Sequence, residues 1–335
     1  MTKIKVLCGF KERAGGSRFE YAPGWVFTQD RDCRDYDWLV VFDEMPVDRE
    51  ELVCPREHTI LATWEPVSIK SYSRAYTRQF GHLLTNRPPE AENHPNYFLG
   101  RGYYLWFSGR VNYVDTAAAV MPAKTRLIST VCSSKQMRHT SHHARYRLVE
   151  RLSRDIPELD WYGQGVRPIY NKYDALDAYK YHVAVENHIG DHHWTEKLSD
   201  AFLSECLPFY AGDPTIFEVF PEDSIIPIPI DDPGEAARII AASIAENAYE
   251  KRREAVMEAK RLVLSKYNFW AQVIELIKGA GGQTAPIGDS RRQVLYGRHA
   301  LRLHSPGAAL EDAWMHVRRF CRLGGLFGSR KGMMV

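Results

Sequence analysis

Short apolar runs separated by polar segments dominate the first third of the chain. The runs are too short for helices of normal length, and their apolar residues follow one another without a helical period. Such runs are typical of strands that are buried on both faces of a parallel sheet. We therefore predict strands at Lys5–Phe10, Trp38–Phe42, Thr59–Thr63 and His82–Thr85.

From residue 126 onward, similar runs alternate with helical patterns. The predicted strands are Arg126–Cys132, Leu159–Tyr162, Tyr181–Glu186 and Leu207–Tyr210. The predicted helices are His142–Arg154, Tyr173–Tyr179 and Thr195–Cys206, and residues 234–277 are mainly helical. Repeated strand–helix units predict an α/β fold with a doubly wound parallel sheet. Pro227 and Pro229 remove hydrogen-bond donors, which predicts that the run Ile225–Ile230 lies at a sheet edge.

The segment between residues 112 and 124 is rich in small residues and ends near Pro122, as interdomain hinges often do. A chain of 335 residues also exceeds the usual size of one domain. We predict an N-terminal domain over residues 1–120, a second domain over 121–285, and a basic, amphipathic C-terminal tail over 286–335.

The composition and the charge of the chain exclude several classes of protein. Apolar residues make up 44% and charged residues 26%, which excludes a largely disordered or collagen-like chain. The formal net charge of +2 is too small to indicate a general nucleic-acid binder, so any anion site is local. The six cysteines are scattered without a CxxC pair, which argues against a zinc site or a disulfide scaffold and favours the cytoplasm. No apolar run is long enough to predict a transmembrane span.

The stretch from Tyr181 to Phe202 carries the most chemical information. A short strand ends in polar residues there, and a helix follows. Strand ends of open α/β sheets face a crevice, and the free N–H groups of a helix start attract phosphate. The positive end of the helix dipole favours the negative charge of Glu196 in the first turn. The positive charge of Lys197 is unfavourable there, and a nearby anionic diphosphate would best explain it. The alternative is that both are solvated surface charges.

Three nearby histidines, His188, His192 and His193, invite a metal interpretation. No further ligand set is spaced to complete a site, and no Asp-x-Asp follows an apolar strand. Metal-independent stabilisation of a leaving group is therefore the favoured account, with divalent cations at most stimulating.

Glu65 follows the apolar run Thr59–Thr63 and precedes Pro66, which places a carboxylate at a strand end. A carboxylate in a partly apolar setting suits a general base that removes a proton from a hydroxyl. The alternative is a strand-end glutamate that caps local backbone N–H groups.

Residues 125–232 resemble the bacterial-type α1,3/4-fucosyltransferase family. The resemblance rests on several motifs in the same order and spacing as in the family. They are Trp161-Tyr-Gly-Gln-Gly, Tyr179-Lys-Tyr, Glu186-Asn, Thr195-Glu-Lys-Leu and Pro208-Phe-Tyr-Ala-Gly-Asp-Pro, preceded by an Arg-bearing helix after Ser133. In this family the activity is transfer of fucose from GDP-fucose to a carbohydrate hydroxyl.

The resemblance implies a GT-B fold, with two Rossmann-like doubly wound domains facing a cleft. It implies that Arg145 and Lys197 neutralise the donor diphosphate, that Asn187 helps to hold the nucleotide sugar, and that Glu196 hydrogen-bonds the fucose. Arg147 and Arg138 are alternatives for the arginine. Glu65 matches the family base, although the family has Glu-Ser-Pro where this chain has Glu-Pro. The implied reaction is a single displacement with inversion, without a covalent intermediate or a required cofactor.

Two positions differ from the family pattern. His193 stands where the family has Tyr, and Val185 stands where it has Phe. His193 retains a group that can donate to a phosphate or a sugar hydroxyl. The alternatives are a transferase of the same fold that uses another nucleotide sugar, a non-catalytic glycan-binding protein, and a metal-dependent hydrolase.

The expected acceptor is an oligosaccharide or lipid-linked glycan, with fucose joined to O3 of GlcNAc or glucose in a surface glycan such as lipopolysaccharide. The C-terminal segment mixes aromatic residues such as Trp314 with Arg318, Arg319, Arg322, Arg330 and Lys331. That composition is typical of an interfacial anchor for anionic lipid, and a flexible basic tail or a helix packed on the core is the alternative. We therefore expect a cytoplasmic enzyme with peripheral contact at the inner membrane face and no nucleic-acid partner.

Overall fold

The computed structural model describes residues 1–9, 18–67, 69–102, 113–135, 141–281, 293–315 and 317. The chain forms two compact units. The first unit comprises Met1–Leu99 and Leu276–Val335, and the second comprises Gly100–Glu275.

A seven-stranded sheet organises the first unit, in the order β2-β3-β1-β4-β6-β7-β8. Its strands are β1 (Thr2–Cys8), β2 (Phe19–Ala22), β3 (Trp25–Thr28), β4 (Trp38–Phe42), β6 (Thr59–Thr63), β7 (His82–Thr85) and β8 (Tyr97–Leu99). All neighbours are parallel except β2 and β3. Every residue of β4 and β6 is buried, which explains the uninterrupted apolar runs in the sequence.

Short helices connect these strands, and a later part of the chain completes the unit. The helices of the first half are α1 (Arg74–Thr77) and α2 (Pro89–Glu92). A second, two-stranded sheet pairs β5 (Arg49–Glu51) with β14 (Val294–Tyr296) in antiparallel register. Helices α8 (Phe269–Gly279) and α9 (Arg298–His304) flank β14 in sequence, and residues 306–315 are helical too.

The second unit is built on a five-stranded parallel sheet in the order β10-β9-β11-β12-β13. Its strands are β9 (Arg126–Val131), β10 (Leu159–Tyr162), β11 (Tyr179–Val185), β12 (Leu207–Ala211) and β13 (Ile226–Pro227). The chain moves from β9 to one edge at β10, returns to β11, and continues to the other edge. The reversal between β9 and β11 is a topological switch point, where ligands bind in open α/β sheets.

Helices of the second unit cover this sheet on both faces. They are α4 (His142–Asp155), α5 (Glu196–Leu203), α6 (Pro233–Ala245) and α7 (Ala248–Ser265), and the short helix α3 (Tyr113–Ala118) precedes β9 in sequence. Because parallel crossovers are right-handed, and because the crossovers from β9 to β10 and from β11 to β12 proceed in opposite directions across the sheet, α4 and α5 lie on opposite faces. Helix α4 packs against α6, and α5 packs against α7. The doubly wound α/β fold predicted from the sequence is thus confirmed for this unit.

Most predicted strands agree with the structure, and Pro227 does lie on the edge strand β13. The predicted helix over Tyr173–Tyr179 is wrong. Only a 3-10 turn forms at Lys172–Ala175, and Tyr179 begins β11. Tyr179 is fully buried, and its hydroxyl lies 2.7 Å from that of Tyr162, so side-chain burial in the sheet prevails over the local helical pattern.

The compact units divide the chain differently from the predicted domains. The first boundary lies at residues 99/100, and the chain returns to the first unit at Leu276. Leu295, Leu301 and Ala308 join the core of the first unit, which gives a physical reason for the return. The basic residues from Arg318 onward lie outside the described residues.

Two further findings concern the cysteines and the membrane. Among the described residues, Cys8, Cys33, Cys54, Cys132 and Cys206 form no disulfide bond. In the described parts of the chain, no helix combines the length and the apolar character that crossing a membrane requires.

Candidate active site

The carboxyl ends of β9 and β11 lie side by side at the switch point. The segments that follow these strands, residues 132–135 and 186–194, form what we call the β9–β11 crevice. The two sides are joined where the backbone N–H of Ser141 donates to the carbonyl of Asn187 at 3.0 Å. Ser141 directly precedes α4, so this bond ties the start of that helix to the loop after β11.

Helix α5 begins at this crevice with Thr195 as its N-cap. The Thr195 hydroxyl accepts from the backbone N–H of Lys197, and the Lys197 ammonium donates to the same oxygen at 2.9 Å. The side chains of Glu196 and Lys197 are only 17% and 15% exposed. The interpretation that they are solvated surface charges is therefore wrong. Leu198, Ala201 and Phe202 form the buried stripe, as predicted.

Glu186 is the buried residue that organises this helix start. Its carboxylate accepts from the backbone N–H of Thr195 at 2.8 Å and from the Thr195 hydroxyl at 2.7 Å. One of its oxygens lies 3.4 Å from the Lys197 ammonium. Glu186 belongs to the Glu-Asn motif of the sequence, but no role was predicted for it.

Lys172 was also missed by sequence reasoning, because it comes from a 3-10 turn that carries no recognisable motif. Its ammonium lies 2.8 Å from Asp200 and 4.0 Å from Glu196. Lys172 and Lys197 therefore flank Glu196 with positive charge.

The electrostatics of this cluster keep its members ionised. Burial raises the pKa of Glu196, but the ammonium groups of Lys197 and Lys172 outweigh burial and hold that pKa at about 2. Burial lowers the pKa of Lys197, whereas the carboxylates of Glu196 and Glu186 raise it above its ordinary value. Lys197 consequently remains an ammonium at neutral pH, in the first turn of helix α5.

Arg145 brings a second buried cation to the crevice from α4. Its side chain hydrogen-bonds the Cys132 thiol, and its charge acts on Lys197 by lowering that residue's pKa. Among the described residues, Arg145 Nε is buried without a hydrogen-bond partner. Of the two alternatives for the arginine, Arg147 is exposed and Arg138 lies outside the described residues.

Asn187 and His193 line the loop between β11 and α5. Asn187 Oδ1 is a buried acceptor without a hydrogen-bond partner in the described structure. His193 is 6% exposed, and its ring meets that of His188 edge-on with the centroids 5.1 Å apart. Within the described residues, no three His, Cys, Asp or Glu side chains converge in an arrangement that could hold a metal ion.

Glu65 belongs to the first unit and follows β6, as the sequence predicted. It is partly buried, and its carbonyl accepts from Arg87 at 2.9 Å. Arg87 in turn forms a buried ion pair with Glu92 at 2.6 Å. The backbone at Glu65 is therefore fixed by a buried arginine. The remaining predicted site residues, from Arg145 to Lys197, all belong to the second unit.

Comparisons with known proteins relate part of the second unit to a known family. Residues 121–241 match the model of the C-terminal region of glycosyltransferase family 10 (fucosyltransferase). No curated protein sequence matches the chain.

Solved structures resemble the chain in fold. A crystal structure of α1,3-fucosyltransferase with GDP-fucose matches with a TM-score of 0.50 and 15% identity, over 86% of this chain and 93% of that chain. A crystal structure of α1,3-fucosyltransferase with GDP matches with a TM-score of 0.49 and 16% identity, over 87% of this chain and 93% of that chain. Sucrose-phosphate synthase from Thermosynechococcus elongatus matches with a TM-score of 0.44 and 10% identity, over 84% of this chain and 99% of that chain.

The predicted α/β fold class is confirmed, because both units are built on largely parallel sheets with helices between strands, and the fold is similar to that of the α1,3-fucosyltransferase solved with GDP-fucose. The family likeness comes from the sequence match within the second unit. The chain is therefore a glycosyltransferase whose residues 121–241 are similar to the C-terminal region of glycosyltransferase family 10, the fucosyltransferases.

Proposed function

We propose that this glycosyltransferase transfers fucose from GDP-fucose to a carbohydrate hydroxyl with inversion at the anomeric carbon. The observation that carries the proposal is the cation pair of the β9–β11 crevice, of which Arg145 is buried and Lys197 is largely buried. Lys197 at the start of α5 and Arg145 on α4 present two positive charges, and Arg145 Nε has no hydrogen-bond partner in the described structure. A diphosphate at a helix start fits such a site.

In the proposed reaction, the acceptor oxygen forms a bond to the anomeric carbon of fucose while the bond from that carbon to the diphosphate oxygen breaks. GDP leaves with the bonding electrons, and Arg145 and Lys197 stabilise its charge. Glu65 takes the acceptor proton as general base. Glu196 accepts a hydrogen bond from the sugar, and Asn187 and His193 contact the nucleotide sugar.

The donor assignment draws support from a solved α1,3-fucosyltransferase with GDP-fucose, whose fold this chain shares. The acceptor, O3 of GlcNAc or glucose in a glycan such as lipopolysaccharide, rests on the sequence resemblance alone. The reaction as proposed requires no metal ion, so a chelator is expected to leave the rate unchanged or to lower it only moderately.

A panel of GDP-sugars with GlcNAc-, glucose- and galactose-containing acceptors, read by mass spectrometry, tests the proposal. We expect a mass increase of one fucose with GDP-fucose, and Glu65→Gln is expected to lower kcat by about 100-fold or more. Transfer of a different sugar in preference to fucose would favour the alternative donor that His193 and Val185 suggest. A Glu65→Gln enzyme with undiminished kcat would exclude Glu65 as the base.

The proposed location is the cytoplasm, with the C-terminal segment at the inner face of the membrane. Leu310, Trp314 and Val317 are exposed at 73%, 57% and 59%, and their spacing of four and three residues places them on one helical face. The basic residues from Arg318 onward follow directly in sequence. A tryptophan-bearing apolar face next to positive charge suits an anionic lipid surface.

Vesicle sedimentation tests this location. Vesicles of phosphatidylglycerol with phosphatidylcholine are expected to bind the full chain, and Trp314→Ala is expected to weaken binding. Equal binding to pure phosphatidylcholine vesicles, or none to either composition, would contradict the proposal.

A further inference from the structure

The segment after β12 reaches across to the loop that precedes α5. Asp213 is 3% exposed, and its Oδ1 atom accepts three hydrogen bonds. One comes from the backbone N–H of His192 at 3.1 Å, and the other two come from the backbone N–H of Thr215 at 2.8 Å and its hydroxyl at 2.7 Å. The carboxylate of Asp213, which follows β12, thus fixes the backbone of the loop that follows β11.

His192 needs such support, because its φ of 59° lies in the left-handed region that side-chain-bearing residues avoid. Its Nδ1 lies 3.1 Å from the Thr215 hydroxyl, so the ring is held as well as the backbone. His193 follows directly, and its backbone N–H closes the turn by donating to Gly190 at 3.3 Å. The direction of the His193 side chain therefore depends on the conformation of His192.

The same segment touches the residues that hold Lys197. A Cβ atom on Gly212 would lie 2.7 Å from Glu186 Cγ, so the backbone at Gly212 packs closely against Glu186. The backbone N–H of Asp213 donates to the Tyr210 hydroxyl at 3.0 Å. Asp213 is consequently anchored beside the start of α5 and is not an isolated loop residue.

We propose that Asp213 and Thr215 are positioning residues for the nucleotide-sugar donor: they clamp the turn 190–193 and thereby set the His193 imidazole against the bound donor. This inference rests on the proposed function. It predicts that the accepting oxygen of Asp213 matters more than its charge, because the contacts described are hydrogen bonds from N–H and O–H groups.

The test compares Asp213→Ala, Asp213→Asn and Thr215→Val with the wild-type enzyme. Asp213→Ala is expected to raise the KM for GDP-fucose about tenfold or more, with a smaller change in kcat, because a displaced His193 loses a contact that binds the donor equally in the ground state and the transition state. Asp213→Asn keeps the accepting oxygen and should stay within about twofold of wild type. Thr215→Val removes one hydroxyl, and its KM for GDP-fucose should lie between those of the two Asp213 variants. It also tests the clamp if Asp213→Ala does not fold.

Ser129→Ala provides the matched control. Ser129 is fully buried in β9, and its hydroxyl donates to the carbonyl of Ala175, so its loss lowers stability without touching the clamp. The donor KM of this control should equal that of wild type. An unchanged KM in both Asp213→Ala and Thr215→Val, or an Asp213→Asn variant as impaired as Asp213→Ala, would overturn the clamp.

Titration with GDP separates this outcome from a failure of the proposed function. Wild-type enzyme that does not bind GDP would refute the proposed donor itself. Wild-type enzyme that binds GDP, together with clamp variants that use GDP-fucose as well as wild type does, would refute only the clamp.

Discussion

Glu186 holds two residues of the donor site through one buried carboxylate. It accepts from the backbone and hydroxyl of Thr195 and pairs with Lys197. Arg145 is buried and Lys197 is largely buried, so each depends on nearby partners to offset the cost of desolvation. The charge of Lys197 is therefore maintained in part by Glu186, a side chain to which no contact with the donor is assigned.

Replacing Glu186 by Gln is expected to lower the free energy of unfolding by about 1–3 kcal/mol, because the amide nitrogen places a donor where donors already converge. Denaturant unfolding measures the change. Glu218→Gln is the matched control, since Glu218 is 53% exposed and pairs with Arg101 at the surface, where a loss within about 0.5 kcal/mol is expected. Equal losses in the two variants would contradict the organising role of Glu186.

The low pKa of Glu196 predicts a pH-dependent contribution to stability. The ordinary value is 4.5 and the folded value is about 2, so ionised Glu196 stabilises the fold above about pH 4.5 and loses that effect as the pH falls toward 2. Unfolding of wild type and Glu196→Gln should therefore differ at neutral pH and converge in acid. A difference that stays constant from neutral pH down to about pH 2 would contradict the ion pairs of Glu196 with Lys197 and Lys172.

Helix α5 connects stability with donor binding through its N-cap. Thr195→Ala removes the cap and is expected to cost about 1 kcal/mol of stability. It also removes a contact of the Lys197 ammonium, so the dissociation constant for GDP should rise. Isothermal titration and denaturant unfolding measure the two effects.

Ser73→Ala is the control for Thr195→Ala, because Ser73 caps α1 in the first unit by accepting from Tyr76. It should lower stability by a similar amount and leave GDP binding unchanged. Equal weakening of GDP binding by both cap variants would refute the claim that the N-cap of α5 contributes specifically to the donor site.

The sequence predicted the elements that carry strong local signals. β4, β6, β7 and β10 match their predicted bounds, because continuous apolar runs identify buried strands. Lys172 could not be found in this way, since its place beside Glu196 depends on a 3-10 turn and on a contact with Asp200. Glu186 lay within a recognised motif, but only the three-dimensional contacts with Thr195 and Lys197 reveal what it holds.

Across the molecule, the first unit is completed by residues that come after the second unit in sequence. The pairing of β14 with β5 and the burial of Leu295 account for this return. The sequence predicted a separate tail over residues 286–335, because its basic composition gave no sign of the few apolar residues that rejoin the first core. Long-range pairing of two three-residue strands leaves almost no local pattern.

Leu295→Ala is expected to lower the free energy of unfolding by about 2–5 kcal/mol, as in other cavity-forming core substitutions. Leu303→Ala is the matched control, because Leu303 is 77% exposed on the adjacent helix α9 and should change stability little. Equal stability of the two variants would show that the returning segment does not belong to the core of the first unit.

Titration of the wild-type enzyme with GDP, UDP and CMP by isothermal calorimetry tests whether this glycosyltransferase binds a guanine nucleotide at Lys197. We expect one GDP to bind per chain, with UDP and CMP at least about tenfold weaker, and Lys197→Gln to weaken GDP binding by about tenfold or more. Tight binding of UDP or CMP without binding of GDP, or GDP binding that Lys197→Gln leaves unchanged, would contradict the account.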